Sequence, residues 1–251
     1  MNLTSFEKQS LLSLSDELGG PLLGIESSSS TSSLCCVGWS PGEVEEHAMD
    51  STALPSDVLA ETLWERFRGT GTEPSKLKAI VVGIGPGSFT GIRVGLATAK
   101  GLALGANVPV YGISSLAVWA LSCGEGLRAV VLDARQGEVY SALYRVSADF
   151  GLETLIEDGT RSPVSFLEEV RNVTASGEPV EIKVLGDVAD PELFASSEQW
   201  LFRLAAEVVP RVGFSLLALR DRLVEGEADD VSVLSPQYMR LTAAERNLKG
   251  L

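Results

Sequence analysis

The chain has 251 residues and a net charge of −14, with 34 acidic against 20 basic side chains. This charge argues against unaided binding of nucleic acid, which needs cationic side chains to displace counterions, and it fits a basic partner or simple solubility. The three cysteines are an odd number, and Cys35 and Cys36 stand together in a predicted strand. We therefore interpret them as reduced core residues of a cytoplasmic protein. No apolar run approaches the roughly 18–20 residues of a membrane helix, so we expect no membrane contact.

The N-terminal part of the chain predicts an extension followed by a meander. Residues 1–20 are polar and only mildly amphipathic, so we expect an N-terminal extension that frays. Short apolar segments at residues 21–26, 34–39 and 44–49, joined by short turns, predict three antiparallel strands. Residues 27–33 are an unbroken run of hydroxyl side chains. They either wrap a phosphate with their N–H and O–H groups or form a polar hairpin turn, which we favour.

A helix is predicted after Pro55, with Ser56 or Asp57 as its N-terminal cap. Its predicted buried face consists of Val58, Leu59, Thr62, Leu63 and Phe67. Trp64 falls on the opposite, polar side. A large aromatic residue in that position is typical of an anchor for a partner protein, although a surface tryptophan that covers a neighbouring loop fits equally well.

Residues 79–103 are the most informative stretch of the chain. An apolar strand at residues 79–84 leads into a glycine-rich turn, and Ser88 or Thr90 can cap the helix that follows. The turn is not a Walker A loop, because no Gly-Lys-Ser/Thr follows it, and Pro86 fits poorly with a dinucleotide fingerprint. Anion binding at the helix start stays open. The candidate anion or nucleotide contacts are Ser27, Ser28, Gly85, Gly87, Ser88 and Thr90.

The helix after this turn is apolar or small nearly all round. Glycines such as Gly95 and Gly101 each cost about 1 kcal/mol inside a helix, so a close neighbour should compensate for them. The helix is either buried within one domain or covered by a second protein, and we favour the second protein. That interpretation requires the face with Gly91, Gly95 and Leu102 to be uncovered within its own lobe. The predicted interface residues are Trp64, Gly91, Arg93, Gly95, Leu96, Thr98, Ala99 and Leu102.

The rest of the chain repeats the order of strands followed by helices. Residues 108–113 are predicted to form a short strand or an extended link. The other predicted strands are residues 128–133, 138–146, 152–156 and 182–185, and the predicted helices are residues 114–121, 163–171, 200–208 and 214–224. Residues 235–240 are expected to be extended. A boundary is predicted near residue 123, and the second half repeats the architecture of the first.

The residues available for catalysis are few. His47 is the one histidine of the chain, so a histidine-rich metal site cannot be built. No Gly-x-Ser-x-Gly elbow is present. Cys35 and Cys36 would need to be exposed at low pKa to act as nucleophiles, against their strand context. We predict no catalytic residue and no metal site.

Several motifs resemble those of the bacterial TsaB (YeaZ) family. Residues 85–103 resemble the family's glycine signature, and residues 110–116 and 132–140 resemble its next two motifs, in order and at suitable spacing. Residues 23–28 resemble its first strand, and residues 236–240 its C-terminal Pro-x-Tyr-x-Arg. The resemblance implies a two-lobed actin-like ATPase (ASKHA, ribonuclease H-like) α/β fold, with a mixed sheet and flanking helices in each lobe.

The expected domains follow from this fold. Residues 1–20 are the extension, residues 21–122 the N-terminal lobe and residues 123–210 the C-terminal lobe. Residues 211–251 form a C-terminal helix and tail that pack back on the N-terminal lobe.

The resemblance also implies a function in making threonylcarbamoyladenosine on tRNA, at the adenosine after the anticodon. In the family, TsaB is a non-catalytic partner of TsaD, the subunit that binds the metal and transfers the threonylcarbamoyl group, and the ATPase TsaE joins the pair. The helices after Pro55 and after the glycine turn are expected to form a helix bundle with TsaD. In isolation the same surface is expected to pair with a second copy, and tRNA is expected to be contacted only through the complex.

Two departures bear on catalysis. Glu26 stands where the family usually has an aspartate that, in ATP-using relatives, helps orient the metal–phosphate group. TsaD itself is excluded, because its His-x-x-x-His motif cannot be built from His47 alone. No cofactor is expected to be required, with ATP and Mg²⁺ at the complex interface as a candidate. The alternative hypothesis is an ATP-binding or weakly hydrolysing lobe that uses residues 27–30 and the loop at Gly85.

Overall fold

The computed structural model describes residues 3–50, 55–174, 180–185, 203–204 and 208–239. Within these ranges the chain forms two five-stranded sheets and flanking helices. The helices are α1 (Ser5–Leu18), α2 (Pro55–Thr70), α3 (Phe89–Ala106), α4 (Ser115–Ser122), α5 (Pro163–Val173), α6 (Gly213–Ala218) and α7 (Arg220–Glu225). The strands are β1 (Leu22–Glu26), β2 (Thr31–Val37), β3 (Val44–Asp50), β4 (Ala79–Gly83), β5 (Val110–Ile113), β6 (Gly126–Arg135), β7 (Glu138–Val146), β8 (Leu152–Arg161), β9 (Val180–Leu185) and β10 (Arg203–Leu204).

The two sheets have the same topology. The first has the order β3-β2-β1-β4-β5 and the second the order β8-β7-β6-β9-β10. In each sheet three strands form an antiparallel meander. A fourth strand pairs in parallel with the first strand of the meander, and a fifth pairs in parallel with the fourth. The predicted architectural repeat and two-lobed α/β fold are therefore confirmed.

Alternation along the strands places helices on both faces of the first sheet. Leu23 and Ile25 of β1 face a core shared with α2 and α3. Leu22 faces a second core, which contains α4 and reaches Val130 and Ala142 of the second sheet. Helix α4 is buried from Ser115 to Leu121, as expected for a helix between two sheets. Helix α5 packs on β7 and β8 of the second sheet.

The N-terminal residues form a folded helix, so the expectation of a frayed extension is wrong. Thr4 caps α1, and Glu7 reaches back to the Thr4 backbone in a reciprocal capping box. Leu11 and Leu14 are buried in the core that contains α4 and α6. This helix is ordered because it covers apolar surface of the first lobe that would otherwise face water.

Two other expectations needed correction. The hydroxyl run divides, because residues 27–30 form the turn and Thr31, Ser32 and Ser33 already pair with β3. Where a helix was expected at residues 200–208, Arg203 and Leu204 pair with β9 as a short parallel strand; residues 200–202 and 205–207 of that prediction lie outside the described residues. The side chains of the expected α2 cap also lie outside them.

The C-terminal segment lies along the first lobe. The backbone N–H of Asp229 donates to Val110 O, and the Asp229 carboxylate accepts from the N–H of Gly112 at 2.6 Å. Further on, the N–H of Gln237 donates to Ile84 O at 2.7 Å. We call residues 229–239 the C-terminal strap. No helix in the described part of the chain has the length and apolar character needed to cross a membrane.

Candidate functional site

Glu26, at the end of β1, carries a fully buried carboxylate. Its Oε1 accepts a hydrogen bond of 2.6 Å from the backbone N–H of Ser28, and its Oε2 accepts one of 2.9 Å from the Ser115 hydroxyl. A Cβ at Gly83 would overlap this carboxylate, so only glycine fits there. Burial raises the pKa of Glu26, and the hydrogen bonds from Ser28 and Ser115 offset only part of that effect. Glu26 therefore joins the turn after β1 to the start of α4.

The turn after β1 packs directly on the glycine loop, which we define as residues 84–88. The N–H of Ser88 donates to Ser28 O at 2.6 Å, and a Cβ at Gly87 would overlap the same carbonyl group. The Ser27 hydroxyl donates to Gly91 O at 2.9 Å. The Ser88 hydroxyl accepts from the N–H of Gly91 and caps α3, which confirms one of the two predicted caps.

The six candidate anion contacts do not form one site. Two line a cleft beside the glycine loop, namely Gly87 and Ser88. Thr90 is exposed on α3. Three are buried in contacts within their own lobe, namely Ser27, Ser28 and Gly85. These three do not line the cleft, and anion contact at any of the six stays a prediction.

The cleft lies between the glycine loop and the β6–β7 hairpin and has a cavity volume of about 620 Å³. Its polar and aromatic lining includes Ser30, Ser88, Phe89, Asp133, Arg135 and Tyr140. The Arg135 guanidinium is already paired with the Asp133 carboxylate at 3.2 Å. An acidic side chain and an already paired cation in the lining are unfavourable for the phosphate chain of a nucleotide.

The α3 face that we predicted as a partner interface is largely covered within its own lobe. A Cβ at Gly91 would overlap the carbonyl group of Ser27, and one at Gly95 would overlap its hydroxyl group. Leu96 and Ala99 are buried in the core beneath α3. The prediction is therefore wrong for Gly91 and Gly95, because the turn after β1 occupies the space that they leave, and for Ala99, which is fully buried. Leu96 also lines a groove beside α3, so for Leu96 partner contact stays a prediction.

The other predicted interface residues have different environments. Arg93 is exposed, and Trp64 on α2 is 63% exposed. Thr98 and Leu102 are half-buried. For these four residues partner contact stays a prediction.

A different face of α3 is uncovered. The exposed residues of this helix after Phe89, which we call the open face, are Thr90, Arg93, Ala97, Gly101, Leu104 and Gly105. A Cβ at Gly101 or Gly105 would have no atom of the described residues within 4 Å, so no packing in this part of the chain requires glycine there. Leu104 is 72% exposed. The i, i+4 spacing of Gly101 and Gly105 is the signal by which the sequence could have identified this face.

An aromatic–arginine cluster borders the open face at the start of α3. The Arg93 guanidinium stacks on the Phe89 ring at 3.7 Å from its centroid. Its Nε donates a hydrogen bond of 2.6 Å to the hydroxyl of Tyr238 in the C-terminal strap. Phe89 and Tyr238 stack with centroids 5.4 Å apart. Both aromatic residues were missing from the predicted site. Tyr238 could not be placed there because only the fold brings the strap to α3, whereas Phe89 belongs to α3 itself.

The two lobes also meet at a polar cluster. Ser114, which caps α4, donates a hydrogen bond to the Asp158 carboxylate of β8, and the Tyr144 hydroxyl of β7 donates to the same carboxylate. Burial raises the pKa of Asp158, and it raises that of Tyr144 well above its ordinary range. Ser114 and Ser115 therefore bind carboxylates from opposite lobes.

The residues considered for catalysis lie in structural contacts. Cys35 and Cys36 are buried, which confirms their interpretation as core residues, whereas Cys123 is half-buried. Burial raises the pKa of Cys36 to about 12 and that of Cys35 well above its usual range, so neither thiol is activated. His47 lies 3.1 Å from the Glu45 carboxylate, which also pairs with Arg66. The described residues contain no group of three His, Cys, Asp or Glu side chains placed to hold a metal ion.

Comparison with known proteins gives the family. The family model described as "TsaD: tRNA N6-adenosine threonylcarbamoyltransferase" matches residues 56–190. The tRNA threonylcarbamoyladenosine biosynthesis protein TsaB of Escherichia coli (strain K12) is 30% identical over 220 residues, which cover 84% of this chain and 92% of that protein. The TsaB of Bacillus subtilis (strain 168) is 34% identical over 180 residues, 68% of this chain and 73% of that protein. The chain belongs to the TsaB family.

Solved structures agree with this assignment at the level of the fold. YeaZ from Pseudomonas aeruginosa superimposes with a TM-score of 0.69 at 21% sequence identity, over 87% of this chain and 99% of that chain. A second Pseudomonas aeruginosa structure, described as an uncharacterized protein with similarity to peptidase YEAZ, gives a TM-score of 0.71 at 22% identity over 88% of this chain and 99% of that chain. The predicted TsaB assignment is confirmed, and the α/β fold is that of the solved YeaZ structures.

Proposed function

We propose that this chain is a non-catalytic TsaB-type subunit that docks through α2 and α3 on a TsaD-type transferase and thereby supports the synthesis of threonylcarbamoyladenosine on tRNA. The observation that carries the proposal is the open face of α3. Two glycines that serve no packing among the described residues lie there beside an exposed leucine, in a chain of the TsaB family.

Physical chemistry favours a helix of another protein as the cover of this face. Ala97, Gly101 and Gly105 follow one another at four-residue spacing, so the backbone of a second helix can approach closely along that line. Trp64 and Leu104 are large apolar side chains that stay 63% and 72% exposed, and residues of this kind anchor protein interfaces. Gly91 and Gly95 pack against Ser27 within the same lobe, so they do not support docking of a partner.

The environment of the polar groups supports a non-catalytic function. Glu26 stands where the family usually has an aspartate. Its carboxylate accepts hydrogen bonds from the Ser28 N–H and the Ser115 hydroxyl. The hydroxyl of Ser27 is bound to Gly91 O. Neither Glu26 nor Ser27 lines the cleft, so we assign the transfer chemistry to the partner.

The test compares two glycine-to-arginine substitutions. Gly101→Arg places a long cation on the open face, where the folded monomer has room for it, and should abolish binding to the TsaD-type subunit of the same organism. Gly69→Arg is the matched control, because Gly69 on α2 also has no described atom within 4 Å of its Cβ position and lies about 140° around that helix from Trp64. Isothermal titration calorimetry measures both affinities. Unchanged binding by Gly101→Arg contradicts the proposal.

The alternative function is nucleotide binding in the cleft between the glycine loop and the β6–β7 hairpin. Its support is the position of the cleft and of Ser88 at the start of α3. Titration of the isolated chain with ATP and Mg²⁺ decides it: saturable heat or phosphate release supports this alternative, and neither is expected from the buried positions of Ser27 and Ser28. A nucleotide held only at the complex interface would give heat after the partner is added.

The other partners follow from the same proposal. A TsaE-type ATPase joins the complex, tRNA is bound through the complex, and the complex is cytoplasmic. In the absence of the TsaD-type subunit, the open face pairs with that of a second copy. Gly101→Arg should then also lower the apparent mass of the isolated chain in light scattering.

A further inference from the structure

A groove separates α3 from the C-terminal strap. It has a cavity volume of about 470 Å³. Leu96 and Ala97 of α3 form one wall, and Val233 and Pro236 of the strap form the other. Val233 is 72% exposed. The groove therefore offers apolar surface to a ligand side chain.

Arg93 stands at one end of this groove with a fixed orientation. Phe89 supports its guanidinium plane at 3.7 Å, and Tyr238 accepts the hydrogen bond from its Nε. The Arg93 guanidinium also lies 5.7 Å from the centroid of the Tyr238 ring. Within the described part of the chain, Phe89 and Tyr238 are the residues that Arg93 contacts in this way. The two terminal NH₂ groups are thus held in place for a carboxylate or phosphate, which guanidinium groups bind through two parallel hydrogen bonds.

Lys100 stands at the other end but is partly used. Its Nζ donates to Leu234 O at 2.9 Å, and its charge lowers the pKa of Asp230 together with the stronger effect of the Ser232 hydrogen bonds. Arg93 is therefore the stronger anion anchor of the two.

We infer that this groove binds a segment of the partner protein in which a carboxylate, held by Arg93, stands next to an apolar side chain that fills the space between α3 and the strap. The inference rests on the proposed docking to a TsaD-type subunit and names the chemistry that this subunit presents at the edge of the open face. It makes the C-terminal strap part of the recognition surface, since Tyr238 and Val233 belong to it.

A protein segment fits the groove better than a nucleic acid does. The chain carries a net charge of −14, and binding to a phosphate backbone needs several cations to release counterions. Here one preorganised arginine borders an apolar groove, which matches a single carboxylate beside an apolar side chain. The aromatic rings of Phe89 and Tyr238 are stacked on each other, which leaves less ring surface for a base.

The test measures the affinity of the TsaD-type subunit for four forms of the full chain by biolayer interferometry. Arg93→Gln should weaken binding about 10- to 100-fold, because it removes a bidentate hydrogen bond to a charged group. Arg93→Lys should restore little of this loss, since an ammonium cannot form the same fork. Arg145→Gln, in the second lobe and paired with Glu153 at 3.5 Å, is the control and should bind like the original chain. Thermal unfolding checks that all forms are folded.

The outcomes separate this inference from the proposed function. If Gly101→Arg abolishes binding while Arg93→Gln binds within twofold of the original chain, the groove inference is overturned and the docking proposal stands. If the original chain does not bind the TsaD-type subunit, both are overturned. A tRNA transcript provides the remaining arm: loss of tRNA binding by Arg93→Gln with unchanged affinity for the protein would assign the groove to nucleic acid and overturn the inference.

Discussion

The Glu26 carboxylate accepts a hydrogen bond of 2.9 Å from the Ser115 hydroxyl, which ties the end of β1 to the first turn of α4. The same hydroxyl accepts a bond of 3.0 Å from the N–H of Gly85. The buried Glu26 carboxylate and the Ser115 hydroxyl thus connect the turn after β1, the glycine loop and α4. The position of α3, which begins three residues after Pro86, depends on this arrangement.

Glu26 should make stability depend on pH. Burial raises its pKa in the folded chain above the ordinary value of about 4.3, so the folded state binds more protons than the unfolded state between the two values. The free energy of unfolding therefore falls as pH rises through this window and levels off above the folded pKa. Glu26→Gln removes this titration, and the difference in stability between variant and original chain should grow with pH. Urea unfolding from mildly acidic to neutral pH measures it, and a constant difference would contradict the assignment.

Two glycines of α3 should respond in opposite ways to the same substitution. Gly95→Ala drives a Cβ into the Ser27 hydroxyl and should cost about 1–3 kcal/mol, the usual range for overpacking. Gly101→Ala meets no described atom within 4 Å and should stabilise by about 0.5–1 kcal/mol, because alanine favours the helix. In a Ser27→Ala background the cost of Gly95→Ala should shrink. Equal effects at Gly95 and Gly101 in urea unfolding would refute the packing described here.

Gly95 and Gly101 also show which features of the site can be predicted from the sequence and which cannot. The repeat of strands and helices and the glycine loop follow from apolar periodicity and turn residues, which act locally. Gly95 and Gly101 look alike in the sequence, since the helical period places both on α3 but does not say which one faces Ser27. That contact depends on how the turn after β1 folds, and it is fixed partly by Glu26 and Ser115, which are far apart in sequence. The Thr4–Glu7 capping box is a local sequence signal for α1. The polar average of residues 1–20 instead suggested an extension that frays, so this signal was missed.

A buried ion pair should hold the C-terminal part of the chain on the first lobe. Arg211 Nε lies 3.6 Å from the Glu46 carboxylate, and its Nη2 lies 3.4 Å from that of Glu7. The Glu46 carboxylate also accepts from the N–H of Gly213 at 2.9 Å. Arg211→Met should cost about 3–5 kcal/mol, because it leaves a buried carboxylate without its counter-charge. Adding Glu46→Gln should recover part of this loss, and an equal or larger cost in the double variant would count against the pair.

Helix α1 should contribute to global stability as an ordinary core element does. Leu11→Ala should lower the free energy of unfolding by about 2–5 kcal/mol, since it opens a cavity at a fully buried position. Thr4→Ala should cost about 1 kcal/mol through loss of the helix cap. Phe6→Ala is the control within the same helix: its side chain is 63% exposed, so the change should stay within about 0.5 kcal/mol. If Leu11→Ala and Phe6→Ala unfold at the same urea concentration, the helix is not docked on the core, and Glu7 would not reach Arg211.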